Sequence, residues 1–224
     1  MKKLLPILMM AVLALSSSLK AFAASSEDVL SYSIISDSLK TCAVAYCDPS
    51  ASGEIAIPSY AVIDNENYKV ISIADEVFYN NEQITKVTIP STVKEIGEGS
   101  FCQMDSLQTV SFGDSLVSIG KQAFYYCTKL ENAILPSTIK EIGESAFSVA
   151  INLKTVTLGK SLTKLGNEAF YECQELDNVI IPDSVTEIGE GTFQSCFDLE
   201  NITFGEGLKY IGNNAFNYIN AKSI

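Results

Sequence analysis

Six cysteines, three pairs of closely spaced glutamates and a recurring set of tyrosines are the side chains of this 224-residue chain with chemistry to offer. The chain has no histidine, no arginine and no tryptophan. That removes Cys/His and Ser/His nucleophile pairs, the side chain that titrates near neutral pH, and the bidentate fork that grips phosphate. The glutamate pairs Glu95/Glu98, Glu141/Glu144 and Glu187/Glu190 recur every 46 residues. They do not stand alone as a general acid and base would. Calcium would need several oxygens converging on one point, whereas these pairs are spread along an axis, so they read as solvated surface. No C-x-x-C, phosphate loop or dinucleotide fingerprint is present, so no metal and no cofactor is expected. The reading is of a protein that is not an enzyme.

The cysteines divide into two groups. Cys127, Cys173 and Cys196 each follow a phenylalanine by three residues, and small buried side chains are their expected role. Cys127 and Cys173 are two repeats apart, about 10 Å by strand spacing, which is beyond the reach of a disulfide. Cys173 and Cys196 are one repeat apart and pair only if their side chains lean together. In an exported protein, Cys42 and Cys47 are the disulfide candidate.

What positions all of these is a repeat of 23 residues. Gly97, Gly120, Gly143, Gly166, Gly189 and Gly212 keep that spacing, as do the phenylalanines from Phe78 to Phe216. Apolar columns keep it too, such as Leu107, Leu130, Leu153, Leu176 and Leu199. The alternation within each repeat predicts two short strands per coil joined by turns. One coil has too little apolar surface to outweigh the backbone entropy of ordering it, so coils must stack. The glycine reads as a turn needing positive φ or a close backbone approach, and the phenylalanine as the large plug of the coil. The expected fold is mainly β: a right-handed solenoid of about six coils with a small β N-terminal cap.

A 46-residue period lies inside this one. Pro90, Pro136 and Pro182 alternate with Gly113, Gly159 and Gly205, and the glutamate pairs follow the prolines. Like charges in consecutive coils would face each other at about 4.8 Å; alternation doubles that distance and sets Lys121 and Lys164 between them. Tyr79, Tyr125 and Tyr171 follow the same double period. They either cover turn backbone or form an exposed aromatic ridge suited to protein or glycan contact.

Residues 1–23 read as a secretory signal: Lys2 and Lys3, an apolar run from Leu4 to Leu15, then Ala21-Phe22-Ala23 as a cleavage site. The apolar run is too short to span a membrane. Residues 24–68 depart from the period and read as the N-terminal β cap, with strands near Val29–Ile35 and Cys42–Cys47 and a turn at Asp64-Asn65-Glu66-Asn67. Residues 69–224 form the solenoid. The formal charge is −12, and without the leader 12 lysines face 27 acids, which makes nucleic acid and anionic membranes poor partners. Export leads to the medium, the cell surface or a periplasm.

The pattern L-x-x-V-x-I-P-x-x-V-x-x-I-G-x-x-A-F-x-x-C runs from Leu176 to Cys196, with Thr192 in the alanine slot, and returns with modest changes in every other coil. It resembles the leucine-rich repeats of BspA-like bacterial surface proteins over about residues 69–224. Gly53 to Pro58 followed by Tyr68-Lys69-Val70 is similar to that family's first coil. The resemblance implies the solenoid fold and, for some members, adhesion or binding of host and matrix proteins. On the residues themselves, the face expected to bind protein or glycan is the outward strand column Thr88, Ser111, Ile134, Thr157, Ile180 and Thr203, flanked by Asn132 and Asn178, because side chains there are free of core duty. The alternative is a structural envelope component that associates with itself through the C-terminal end, where the next leucine column is Lys222.

Overall fold

The computed structural model describes residues 29–222, and the leader expected at residues 1–23 lies outside them. Five strands open the chain: β1 (Leu30–Ser36), β2 (Thr41–Cys47), β3 (Gly53–Ala56), β4 (Tyr60–Ile63) and β5 (Glu66–Ile73). Each later coil then supplies one longer and one two-residue strand. These are β6 (Ile84–Thr88) and β7 (Glu95–Ile96), β8 (Thr109–Ser111) and β9 (Ser118–Ile119), β10 (Asn132–Ile134) and β11 (Glu141–Ile142). They continue as β12 (Thr155–Thr157) and β13 (Lys164–Leu165), β14 (Asn178–Ile180) and β15 (Glu187–Ile188), β16 (Asn201–Thr203) and β17 (Tyr210–Ile211). No helix occurs among the described residues.

Two sheets result. The longer strands build a seven-stranded sheet in the order β16-β14-β12-β10-β8-β6-β3, and the two-residue strands extend a ten-stranded sheet in the order β1-β2-β5-β7-β9-β11-β13-β15-β17, with β4 on β5. In the coils every pairing is parallel and joins equivalent residues, such as Glu95 with Ser118, Ser118 with Glu141, or Ile134 with Thr157. The chain is a β solenoid whose interior holds the apolar columns between the two sheets.

The start is less regular. Asp64 and Asn65 both have positive φ, 51° and 64°, which turns β4 tightly into β5, so Glu66 and Asn67 already belong to β5. β5 carries both regimes: its first half pairs antiparallel with β4, and Ser72 and Ile73 pair parallel with β7. β3 pairs parallel with β6, matching Ile55 to Val87.

Between β7 and β8, and at each equivalent place, a long turn carries the phenylalanine column. Phe78 through Phe216 stack ring on ring with interplanar angles of 2–10°. The centroid separation opens from 4.8 Å at Phe78–Phe101 to 5.5 Å at Phe193–Phe216. The turns also hydrogen bond to one another: the amides of Gln122, Phe124 and Tyr126 donate to the carbonyls of Glu144, Ala146 and Ser148 at 2.7–3.0 Å. This third ladder satisfies turn backbone that a buried aromatic column would otherwise strand away from water.

The glycine column serves close approach, and its φ is not positive. A Cβ on Gly143 would lie 2.7 Å from the carbonyl carbon of Gly120, and one on Gly166 would lie 2.6 Å from that of Gly143. The left-handed conformation falls two and six residues later, at Gln122 and Tyr126, Ser145 and Val149, Glu168 and Glu172. Val149, with φ 60°, is the worst suited of these, because a β-branched side chain crowds the carbonyl there. Gly143→Ala should therefore lower stability by about 2 kcal/mol, since only backbone could yield. Val149→Asn should raise it by about 1 kcal/mol. Thermal melts check both, with shifts of opposite sign of about 2–4 °C per kcal/mol.

Candidate binding face

In the seven-stranded sheet the pleat sends every middle residue inward and its neighbours outward. Ala133, Val156, Val179 and Ile202 are buried in the core, while the residues before and after each are exposed. The eight positions expected at the face, Thr88, Ser111, Ile134, Thr157, Ile180, Thr203, Asn132 and Asn178, are all exposed. They lie on one side of one sheet in direct register, Thr88 to Ser111, Ile134 to Thr157 and Ile180 to Thr203.

Two features of this face bear on contact with a partner. Ile134 and Ile180 are 67% and 69% exposed, although both strands have room for a polar residue there. Beside them the Asn201 amide donates to Asn178 Oδ1 at 2.7 Å, and Thr155 faces Asn178 on the other side. The face is bounded at its N-terminal side by the Lys86–Glu54 ion pair, 3.0 Å long. Toward the C-terminal side it deepens into a groove of about 780 Å³, where Lys160, Asp177, Pro182, Asp183 and Phe204 join the strand residues. Those five were not expected from the sequence. Pro182 and Phe204 belong to repeat columns that read as scaffold, and Lys160, Asp177 and Asp183 sit on connections where the repeat allows many residue types.

The tyrosines lie elsewhere, on the long turns leading from the ten-stranded to the seven-stranded sheet. Tyr79 is half exposed, whereas Tyr125 and Tyr171 are half-buried. Between them in the same column stand Cys102 and Ser148, both buried. The column is thus a set of separated aromatic covers over small residues, and Tyr125 packs edge-on against Tyr126 at 4.8 Å. The glutamates lie on the ten-stranded sheet and its turns, with Lys121 at 2.8 Å from Glu144 and Lys164 at 3.6 Å from Glu187. Among the described residues no group of three or more Cys, Asp or Glu side chains converges as metal ligands would.

A family model described as the BspA type leucine rich repeat region matches six copies over residues 71–196 and 117–224. The chain belongs to this BspA-type leucine-rich-repeat family. Similar solved structures include a leucine-rich-repeat protein of T. pallidum, 26% identical with a TM-score of 0.74, covering 82% of this chain and 83% of that one. Another is a leucine-rich cell surface protein of Faecalibacterium prausnitzii, 27% identical with a TM-score of 0.75, covering 93% of this chain and 57% of that one. A third, from Bacteroides ovatus, is 26% identical with a TM-score of 0.62, covering 88% of this chain and 57% of that one. This chain thus spans little more than half the length of the last two. Among curated proteins none matches it. No helix among the described residues is long and apolar enough to cross a membrane.

The cysteines of this BspA-type protein correct one expectation. Cys42 and Cys47 lie on the same strand, β2, five residues apart, and both are free thiols. At about 3.3 Å per residue an extended strand holds them about 17 Å apart, well beyond a disulfide. The column thiols have a different role. Cys127 donates to the Phe101 carbonyl at 3.0 Å, Cys173 to that of Phe147 at 3.2 Å and Cys196 to that of Phe170 at 3.1 Å. Each thus ties its coil to the one before. Where the column lacks cysteine at its start, Asn81 accepts from the Gln83 and Ile84 amides and donates to the Ala51 carbonyl, binding the first coil to the preceding strands.

Burial pushes the thiols up, Cys42 and Cys47 to about 11 and Cys196 to about 12. Because the folded state holds these protons more tightly than the unfolded chain, stability is intact below pH 9 and falls as pH rises toward 12. A thiol reagent at pH 8 should find no fast-reacting cysteine in the native protein and six after denaturation without reductant. A denatured count of four would restore a disulfide.

Proposed function

We propose that this protein is exported to the bacterial cell surface and binds another protein, of a host or its matrix, through the outward face of the seven-stranded sheet. The observation that carries the reading is the exposed column itself, with Ile134 and Ile180 displayed two coils apart on strands whose inward residues already fill the core. In this reading the two isoleucines, held outward in register on a rigid sheet, are the apolar anchors of the contact. In this reading residues 1–23 direct export, residues 24–68 shield the first coil and residues 69–224 supply the face. Glycan is the other ligand class that the asparagines and threonines could hydrogen bond. This reading assigns the chain recognition without catalysis, in keeping with a leucine-rich-repeat family and a sequence without histidine or arginine.

The test uses arrays of matrix proteins and glycans probed with the protein and with a Thr157→Lys, Ile180→Lys variant. Both positions are exposed, so folding should be unchanged within about 0.5 kcal/mol. Binding of a true ligand should fall by at least about a hundredfold, the loss of roughly 3 kcal/mol expected from two buried charges. Retained affinity would sink the face.

A second reading is favoured by the last described coil. Ile211 is 46% exposed, while its column mates Ile96, Ile119, Ile142, Leu165 and Ile188 are at most 2% exposed. With Leu208 and Phe216 only partly covered, this end would bury apolar surface against a second copy. Light scattering over a concentration series should then show an oligomer that Ile211→Lys disperses; a strict monomer at high concentration rules this association out.

A further inference from the structure

We infer that the preferred ligand of this face is a polyproline II segment lying along the stacking axis, across the strands, with lysine or arginine between its apolar residues. The inference rests on the proposed binding face and narrows its partner.

Strand addition is closed to a ligand here, because the strands β6 to β14 are paired on both sides within the sheet. A peptide must lie across them and meet side chains only. The exposed apolar residues are then Ile134 and Ile180, separated by the strand of Thr157. Two strand spacings set them about 9.6 Å apart. A polyproline II helix rises about 9.3 Å per three-residue turn and returns the same face to the sheet at every turn. An extended strand repeats its face at about 6.7 Å. An α-helix repeats near 5.4 Å, or about 10.8 Å over two turns. Only the first matches both spacing and facing.

The chemistry between the isoleucines agrees. A polyproline II backbone makes no hydrogen bonds of its own, and its carbonyls need donors. Asn132 and Asn178 stand beside the two isoleucines and Thr155 beside Thr157, all exposed, and an asparagine amide can donate outward while its oxygen accepts from Asn201. Pro182 lines the groove next to Ile180 and supplies apolar surface for a proline ring, with Phe204 partly covered behind it. The groove's charged lining is Asp177, Asp183 and Lys160, in a chain of net charge −12, which favours a basic ligand.

The test measures anisotropy of two labelled peptides against the full chain: Pro-Pro-Lys repeated four times, and Gly-Ser-Lys repeated four times, which has the same charge and period without the stiff helix. The proline peptide should bind roughly tenfold tighter or better. In a Thr157→Ile, Ile180→Thr variant the two isoleucines stand on adjacent strands, about 4.8 Å apart. The preference should disappear there while the melting temperature holds. Equal affinity for the two peptides, or a preference that survives the swap, overturns the inference. If neither peptide binds, yet an array ligand is captured and then lost in the Thr157→Lys, Ile180→Lys variant, the polyproline reading is wrong and the face stands. If that variant keeps its array ligand, the face itself fails.

Discussion

Everything in this molecule depends on how closely one coil can approach the next. At Gly120, Gly143 and Gly166 the backbone of each coil lies against the backbone of its neighbour, with no space for a methyl group between them. That approach keeps the two-residue strands of the ten-stranded sheet in parallel register, and it holds the turns near enough for a third ladder of hydrogen bonds. The phenylalanine stack follows from it, since rings one coil apart can meet face to face only when the turns that carry them are superimposed. The thiol of each column cysteine closes the same gap from the side, reaching the carbonyl of the phenylalanine one coil earlier. A coil is therefore stabilised mostly by its neighbours, in the manner of a one-dimensional stack.

Such an arrangement separates duties cleanly. Columns that touch the next coil must repeat every 23 residues, because a break at one position leaves two coils apart. Columns that point outward have only their lateral neighbours to satisfy, and they follow the longer 46-residue period or none. The glutamates show the electrostatic side of this, since Lys121 and Lys164 lie against Glu144 and Glu187. Exposed pairs of this kind add little stability, so their value lies in avoiding a column of like charge. Ile134 and Ile180 belong to this second, outward group, because nothing in the stack requires them to be apolar.

The fold was almost wholly legible in the repeat, and the exceptions have identifiable causes. The glycine could have served either a left-handed backbone or a close approach, and spacing does not distinguish them, because the first is a property of one residue and the second of two residues 23 apart. The left-handed columns carried a partial signal in Gly99, Gly191, Asn80 and Asn214, but Gln122, Tyr126, Ser145 and Val149 at the equivalent places conceal it, because those types do not favour positive φ. The Cys42–Cys47 disulfide failed for a simpler reason: a short separation in sequence becomes a long one in space when the segment is extended. At the proposed binding face, strand alternation was enough to name eight outward positions, but not the charged and aromatic residues that line the groove.

By itself the sequence determined the coil length, the two strands per coil, the buried columns and the family, since all of these are periodic and a period survives without coordinates. The tertiary structure decided which carbonyl each thiol reaches, that the tyrosines stand apart over small neighbours, and that Ile134, Thr157 and Ile180 share one register above a groove. Those facts depend on how far each coil is translated onto the next and on the path of the connections, which are set by packing between segments and are written in no single one of them.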